Sequence, residues 1–254
     1  MKQKIIKKLD SIEKEYSVTI IMAIESGSRA WGFPSNNSDF DVRFIYVNKK
    51  DWYLTIGEKR DVIELPIDNV LDINGWDLRK SLLLMRKSNS PLLEWLSSPI
   101  QYHVWHKAFE RLLALSKMAF MPETSCYHSL SMAKKSVEKL EGSEKVKLKT
   151  YMYAIRPILC CEWIIKNLSQ PPMHIADLLA EITDDPLFKD RVVDLVEKKK
   201  GHSEKYIVER SEIIENYIDK KIVELQDHIP KNTQRPGLDV FDDVFRYVLT
   251  EASI

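Results

Sequence analysis

The sequence predicts a mixed α/β (α+β) fold, a small sheet core followed by an all-helical carboxy-terminal part. Three observations carry this reading. Apolar runs short enough for strands, several rich in β-branched residues, occur at 18–24, 40–47, 60–65 and 70–73 and then cease. From about residue 100 onward, apolar residues recur at helical spacing instead. Gly is scarce, with 7 among 254 residues, while helix-favouring Lys, Glu and Leu are abundant. The chain is therefore divided into residues 1–100 and a helical domain of 101–254.

The elements follow in order. Ile5, Ile6, Leu9 and Ile12 repeat at helical spacing and make residues 2–15 an amphipathic helix. Strand 18–24 follows, then a turn at Gly27-Ser28 and a strand from Asp39 to Val47. Residues 48–57 read as a loop. Arg60 to Leu65 reads as a strand stopped by Pro66, and Val70 to Ile73 as another, broken at Gly75. Asp77 has the chemistry to cap a helix carrying Leu78, Leu82 and Met85. Ser90 caps the next, with Pro91 in its first turn. A long helical pattern covers 102–120 and stops at Met121-Pro122. Helices at 125–140 and 144–168 flank a break at 141–143, and Pro157 should kink the second. Further helices are expected at 174–182, 186–199, 204–226 and 239–251, the last after a polar loop at 230–236.

Bulk properties exclude several classes. Lys and Arg total 38 and Asp and Glu total 38, so no net field draws the whole chain onto nucleic acid. Three cysteines, at 126, 160 and 161, do not make a disulfide framework. No apolar run reaches membrane-spanning length, and the amino terminus leads into an amphipathic helix rather than a signal peptide. A cytoplasmic protein without a membrane partner is expected.

Chemistry concentrates in Gly27-Ser28-Arg29-Ala30-Trp31-Gly32 and Ser38-Asp39-Phe40-Asp41-Val42-Arg43. Side chains alternate along a strand, so Asp39 and Asp41 share one face. Two neighbouring carboxylates repel, and a divalent cation removes that penalty. Magnesium prefers such oxygen ligands, shared with substrate phosphates. The Gly27-Ser28 turn offers N–H groups and a hydroxyl to phosphate oxygens.

These motifs resemble the GS…DxD signature of the DNA polymerase beta-type nucleotidyltransferase superfamily. The fuller wording, with Gly75-Trp76-Asp77-Leu78-Arg79-Lys80 and Leu93 to Pro99, is similar to a bacterial and phage branch of predicted nucleotidyltransferases associated with RNA repair. The resemblance implies a polymerase beta-type nucleotidyltransferase core in residues 1–100 and a substrate-binding role for 101–254. It also implies a third carboxylate on a later strand. Asp72 is favoured and Glu64 is the runner-up. Asp39, Asp41 and Asp72 would then be the catalytic residues and the ligands of magnesium, as two ions.

Nucleotide-binding candidates are Gly27, Ser28, Arg29 and Arg43, joined by Lys149, Tyr153 and Arg156. The last three recur at four and three residues and share a helix face. The expected activity moves a nucleoside monophosphate from a nucleoside triphosphate to an acceptor hydroxyl, with RNA or a tRNA-like end as partner. Transfer to a small molecule or protein, and a non-catalytic nucleotide-binding interaction protein, are the alternatives.

Overall fold

A computed structural model describes the chain apart from residues 69, 141, 143, 183, 184, 232–234, 253 and 254. The expectations at 141–143 and 230–236 therefore lie partly outside the described residues. In chain order the elements are α1 (Lys2–Tyr16), β1 (Thr19–Glu25), α2 (Gly27–Ala30), β2 (Phe40–Val47), α3 (Lys50–Tyr53), β3 (Val62–Glu64), β4 (Leu71–Asp77), α4 (Leu78–Arg86), α5 (Ser90–Leu96) and β5 (Gln101–Val104). Then come α6 (His106–Ala119), α7 (Pro122–Val137), β6 (Lys145–Lys147), α8 (Leu148–Asn167), α9 (Ile175–Ile182), α10 (Pro186–Gly201), β7 (Ile207–Glu209), α11 (Glu212–Asp227) and α12 (Leu238–Ala252).

Two compact units result. The first comprises Met1–Gly27, Asp39–Phe120 and Gln234–Ile254; the second comprises Ser28–Ser38 and Met121–Thr233. The division is thus not a single cut at residue 100. β5 pairs antiparallel with β1, and α12 buries Phe241 and Val248 in the same core as α4, α5 and α6, which ties both segments to the sheet. The loop Ser28–Ser38 joins the helical unit through hydrogen bonds to Lys199 and Glu204.

The sheet of the first unit has the order β3-β4-β2-β1-β5. β2 and β4 run parallel, and the other neighbouring pairs run antiparallel. Alternation along β2 sends Val42, Phe44 and Tyr46 to one face, where Ile5, Leu9 and Ile12 of α1 cover them. Ile45 and Val47 point to the other face, under α4, α5, α6 and α12. Asp41 and Arg43 share that second face but lie at the start of the strand, where the apolar cover gives way to polar side chains.

Several local details differ from expectation. Gly75 does not end its strand; β4 runs through it to Asp77. A Cβ at Gly75 would strike the Phe44 ring on the neighbouring strand, so the glycine makes room for an aromatic core residue. Asp77 caps α4 as expected, accepting from Arg79 N–H at 2.8 Å, whereas α5 is capped by Asn89 rather than Ser90. Residues 101–104 form a strand instead of opening a helix. The segments 145–147 and 207–209 are likewise paired strands, so α8 and α11 begin later than periodicity suggests.

In the second unit α7 and α8 pack along each other, and α8 contacts α9, α10 and α11. α8 continues through Pro157. Phe188 of α10 stacks on Tyr217 of α11, with ring centroids 3.6 Å apart. Cys126, Cys160 and Cys161 are buried and not joined in disulfides.

Candidate active site

In the first unit, the parallel register of β2 and β4 sets Asp41 directly opposite Asp72. Residues opposite one another on neighbouring strands stand about 4.8 Å apart and point to the same face. Arg43, two residues along, donates from Nη2 to Asp41 Oδ1 at 3.2 Å and to Asp72 Oδ2 at 2.7 Å. All three are half-buried, so a cation is supplied where two carboxylates would otherwise repel.

The backbone around Asp41 is fixed from β1. Glu25 is fully buried, and its Oε1 accepts from the Asp41 N–H at 3.0 Å while its Oε2 accepts from the Tyr102 hydroxyl. Ser26 N–H donates to Asp41 O at 2.8 Å. Gly27 has φ +61°, and a Cβ there would collide with the Asp41 carboxylate. Only glycine lets the turn come this close.

Asp39 lies one residue before β2 and is exposed. Among the described residues, no group of three or more His, Cys, Asp or Glu converges as a metal centre. The structure thus brings Asp41 and Asp72 together without drawing Asp39 into a closed three-carboxylate set, and Arg43 occupies the span. The donor chemistry still suits magnesium: two carboxylates in register, both hard oxygen ligands, beside the close turn at Gly27.

Glu64 stands elsewhere. It pairs with Asn74 across β3 and β4, and Asn74 in turn lies opposite Arg43. Two strand spacings, roughly 10 Å, therefore separate it from β2. Its carboxylate is exposed, accepting from Arg60 at 2.6 Å and from Asn74 Nδ2 at 3.0 Å. The register favours Asp72 as the partner of Asp41.

In the second unit the other candidates are knitted into the loop Ser28–Ser38. Ser28 is buried, with its Oγ 3.3 Å from Ser38 Oγ, and Arg29 donates to Ser38 O at 2.6 Å. Ser38 Oγ also donates to Glu204 at 3.3 Å, and Glu204 accepts from Lys149 Nζ at 3.0 Å. Burial, the largest single influence, pushes the Glu204 carboxyl up, but the Lys149 hydrogen bond and the charges of Lys149 and Lys199, with a smaller part from Ser38, hold it below its ordinary range. Lys199, only 2% exposed, donates to Ser35 Oγ at 2.9 Å. Burial pushes its ammonium down to about 8.

Tyr153 meets Trp31 edge-on at 5.5 Å, and the Lys149 ammonium lies 5.6 Å from the Tyr153 ring centre. Arg156 is buried, with its guanidinium over the Trp31 ring at 4.4 Å and a bond to Met173 O. That places Arg156 in the packing of the loop. Lys199, Glu204 and Tyr102 escape a sequence reading because their partners lie far along the chain, Ser38 and Glu204 by 166 residues.

Residues 1–247 match the family described as the RNA repair pathway DNA polymerase beta family. The chain is 49% identical to YcgL of Bacillus subtilis strain 168, a protein described as uncharacterized, over 222 residues that cover 87% of this chain and 85% of the relative. Among solved structures it is similar to a nucleotidyltransferase-like protein from Exiguobacterium sibiricum 255-15, with 11% identity and a TM-score of 0.31, over 97% of this chain and 80% of that one. Among the described residues, no helix is long and apolar enough to cross a membrane.

Proposed function

The chain belongs to the RNA repair pathway DNA polymerase beta family, and on that footing we propose that it is a magnesium-dependent nucleotidyltransferase. It moves a nucleoside monophosphate from a nucleoside triphosphate to an acceptor hydroxyl on RNA. The observation that carries this reading is the register of Asp41 with Asp72 beside the Gly27 turn.

Asp41 and Asp72, with Asp39, would hold magnesium, which when bound neutralises triphosphate charge and acidifies the acceptor hydroxyl. The Asp72 carboxylate accepts the hydroxyl proton. The acceptor oxygen forms a bond to the α-phosphorus, the bond to the bridging oxygen breaks, and pyrophosphate leaves with that electron pair. Gly27 and Ser28 position phosphate oxygens through backbone N–H groups and the Ser28 hydroxyl. Arg29 and Arg43 add positive charge.

The test uses purified protein, magnesium, each ribonucleoside triphosphate labelled at the α-phosphate, and a pool of small RNAs. Label on RNA supports the proposal. Pyrophosphate release with no label on RNA moves the acceptor to a small molecule or protein, and absence of both removes the transfer reading.

A further inference from the structure

Asp77 closes β4 roughly 16 Å along the strand from Asp72, and beyond it lie two cavities within the first unit. One, of about 480 Å³, is lined by Trp52, Lys59, Asp61, Arg79, Lys80 and Leu83 among others. The second, of about 220 Å³, lies between α4 and α12. Arg79 and Leu83 line both, so the two are lobes of one groove.

The lobes differ in chemistry. Leu82, Leu238, Phe241 and Phe245 give the smaller one apolar walls, with the acidic Asp242 also among its lining. A cavity of about 150 Å³ holds a benzene ring, so this lobe has room for one ring system. A bare hydrocarbon does not suit it, because Arg86 also lines the lobe and its Nε is buried with no hydrogen-bond partner among the described residues. A buried donor left without a partner is destabilising, and a ligand acceptor relieves it. The Arg79 guanidinium lies over the Tyr53 and Phe245 rings and makes a single side-chain hydrogen bond among the described residues, to Tyr53 O at 3.3 Å. Its remaining N–H donors are available to a ligand. The ring therefore carries hydrogen-bond acceptors.

The larger lobe carries Lys59 beside the Trp52 ring, at 5.4 Å, and Lys80 paired with Asp61 at 3.0 Å. Glu58, Asp61 and Asp77 line the same lobe, so its cations suit an anionic group and its carboxylates suit hydroxyl donors. An acceptor-bearing ring, then hydroxyls, then an anion is the chemical order of a ribonucleotide. We infer that this groove is a second binding site for a ribonucleoside phosphate unit, separate from the Asp41–Asp72 pair. A free nucleotide and a nucleotide of single-stranded RNA share that chemistry.

The test titrates the full-length chain in EDTA with AMP, GMP, UMP, a short single-stranded RNA, inorganic phosphate and benzoate, by calorimetry. The wild type and the Asp39→Asn/Asp41→Asn double variant should bind a mononucleotide or the RNA alike, and at least about tenfold more tightly than phosphate or benzoate. Arg86→Gln should weaken that binding about tenfold or more. Leu83→Glu, at a half-exposed rim position, should do the same with an unchanged melting temperature. Tighter binding of RNA than of every mononucleotide assigns the groove to RNA; equal binding assigns it to free nucleotide. Binding untouched by both groove variants, lost in the double variant, matched by benzoate, or absent for every nucleotide ligand would overturn the inference. Because transfer plays no part in the readout, the proposed catalytic reading can fail while this one stands.

Discussion

Asp41 and Asp72 stand opposite each other on the parallel strands β2 and β4, and the Arg43 guanidinium joins them. The arrangement has two consequences. It gives Asp41 a carboxylate partner on the adjacent strand, and it offsets one of the two negative charges of the pair.

Replacing Arg43 by Met should therefore tighten divalent cation binding to the nucleotide-free protein several-fold. It should also lower stability without metal by about 1 kcal/mol, since two half-buried carboxylates then repel. Manganese titration by calorimetry reads the first effect and thermal melting in EDTA reads the second. Unchanged affinity would mean that the carboxylates do not form the cation site.

Gly27→Ala tests the closeness of the turn. A left-handed φ costs a non-glycine residue about 1 kcal/mol, and the new Cβ strikes the Asp41 carboxylate. Transfer should fall by at least about tenfold, with a loss of stability of only about 1–2 kcal/mol. A variant as active as the wild type would show that Gly27 serves the turn alone.

Glu25 holds the Asp41 backbone from a fully buried position. Glu25→Gln keeps an acceptor for the Asp41 N–H, whereas Glu25→Ala leaves that donor unmet at a cost of about 1–3 kcal/mol. Melting temperature and the turnover number should both drop in the alanine variant and recover substantially in the glutamine variant. Equal damage from the two would point to the carboxylate charge rather than the hydrogen bond.

The buried Lys199 gives a pH signature. Its folded-state pKa, about 8, lies below its ordinary 10.5, so between those values the unfolded chain holds more protons than the folded one. Stability should accordingly rise with pH across that window, by up to roughly 3 kcal/mol from this group. Chemical denaturation at pH 7.5 and pH 10 should show the rise in wild type, and Lys199→Met should remove it. A variant with the same slope would refute the assignment.

How much the sequence revealed follows from the range of each interaction. That Asp72 lies on a strand was legible because Leu71 and Ile73 flank it with two-residue alternation. Glu64 has the same setting, and the preference for Asp72 came from the family resemblance. Asp77 was legible as a cap for the equally local reason that it precedes a helical stripe. Gly75 misled because a glycine in a strand reads as a break, while its cause, the Phe44 ring, sits on another strand. Gln101–Val104 is short and only partly buried, so its pairing with β1 leaves little pattern. The union of Ser28–Ser38 with Lys199 and Glu204 is set by contacts more than 160 residues apart, and no local signal carries it.

In the proposed reaction Asp41 and Asp72 act together in nucleotidyl transfer. The most direct measurement compares transfer of an α-labelled nucleoside triphosphate to RNA by the wild type, the Asp39→Asn/Asp41→Asn double variant, Asp72→Asn and Glu64→Gln. Each should first be shown folded by circular dichroism. Losses of at least about a hundredfold are expected for the double variant and for Asp72→Asn, with Glu64→Gln near wild type. Activity retained by Asp72→Asn and lost by Glu64→Gln would contradict that joint role.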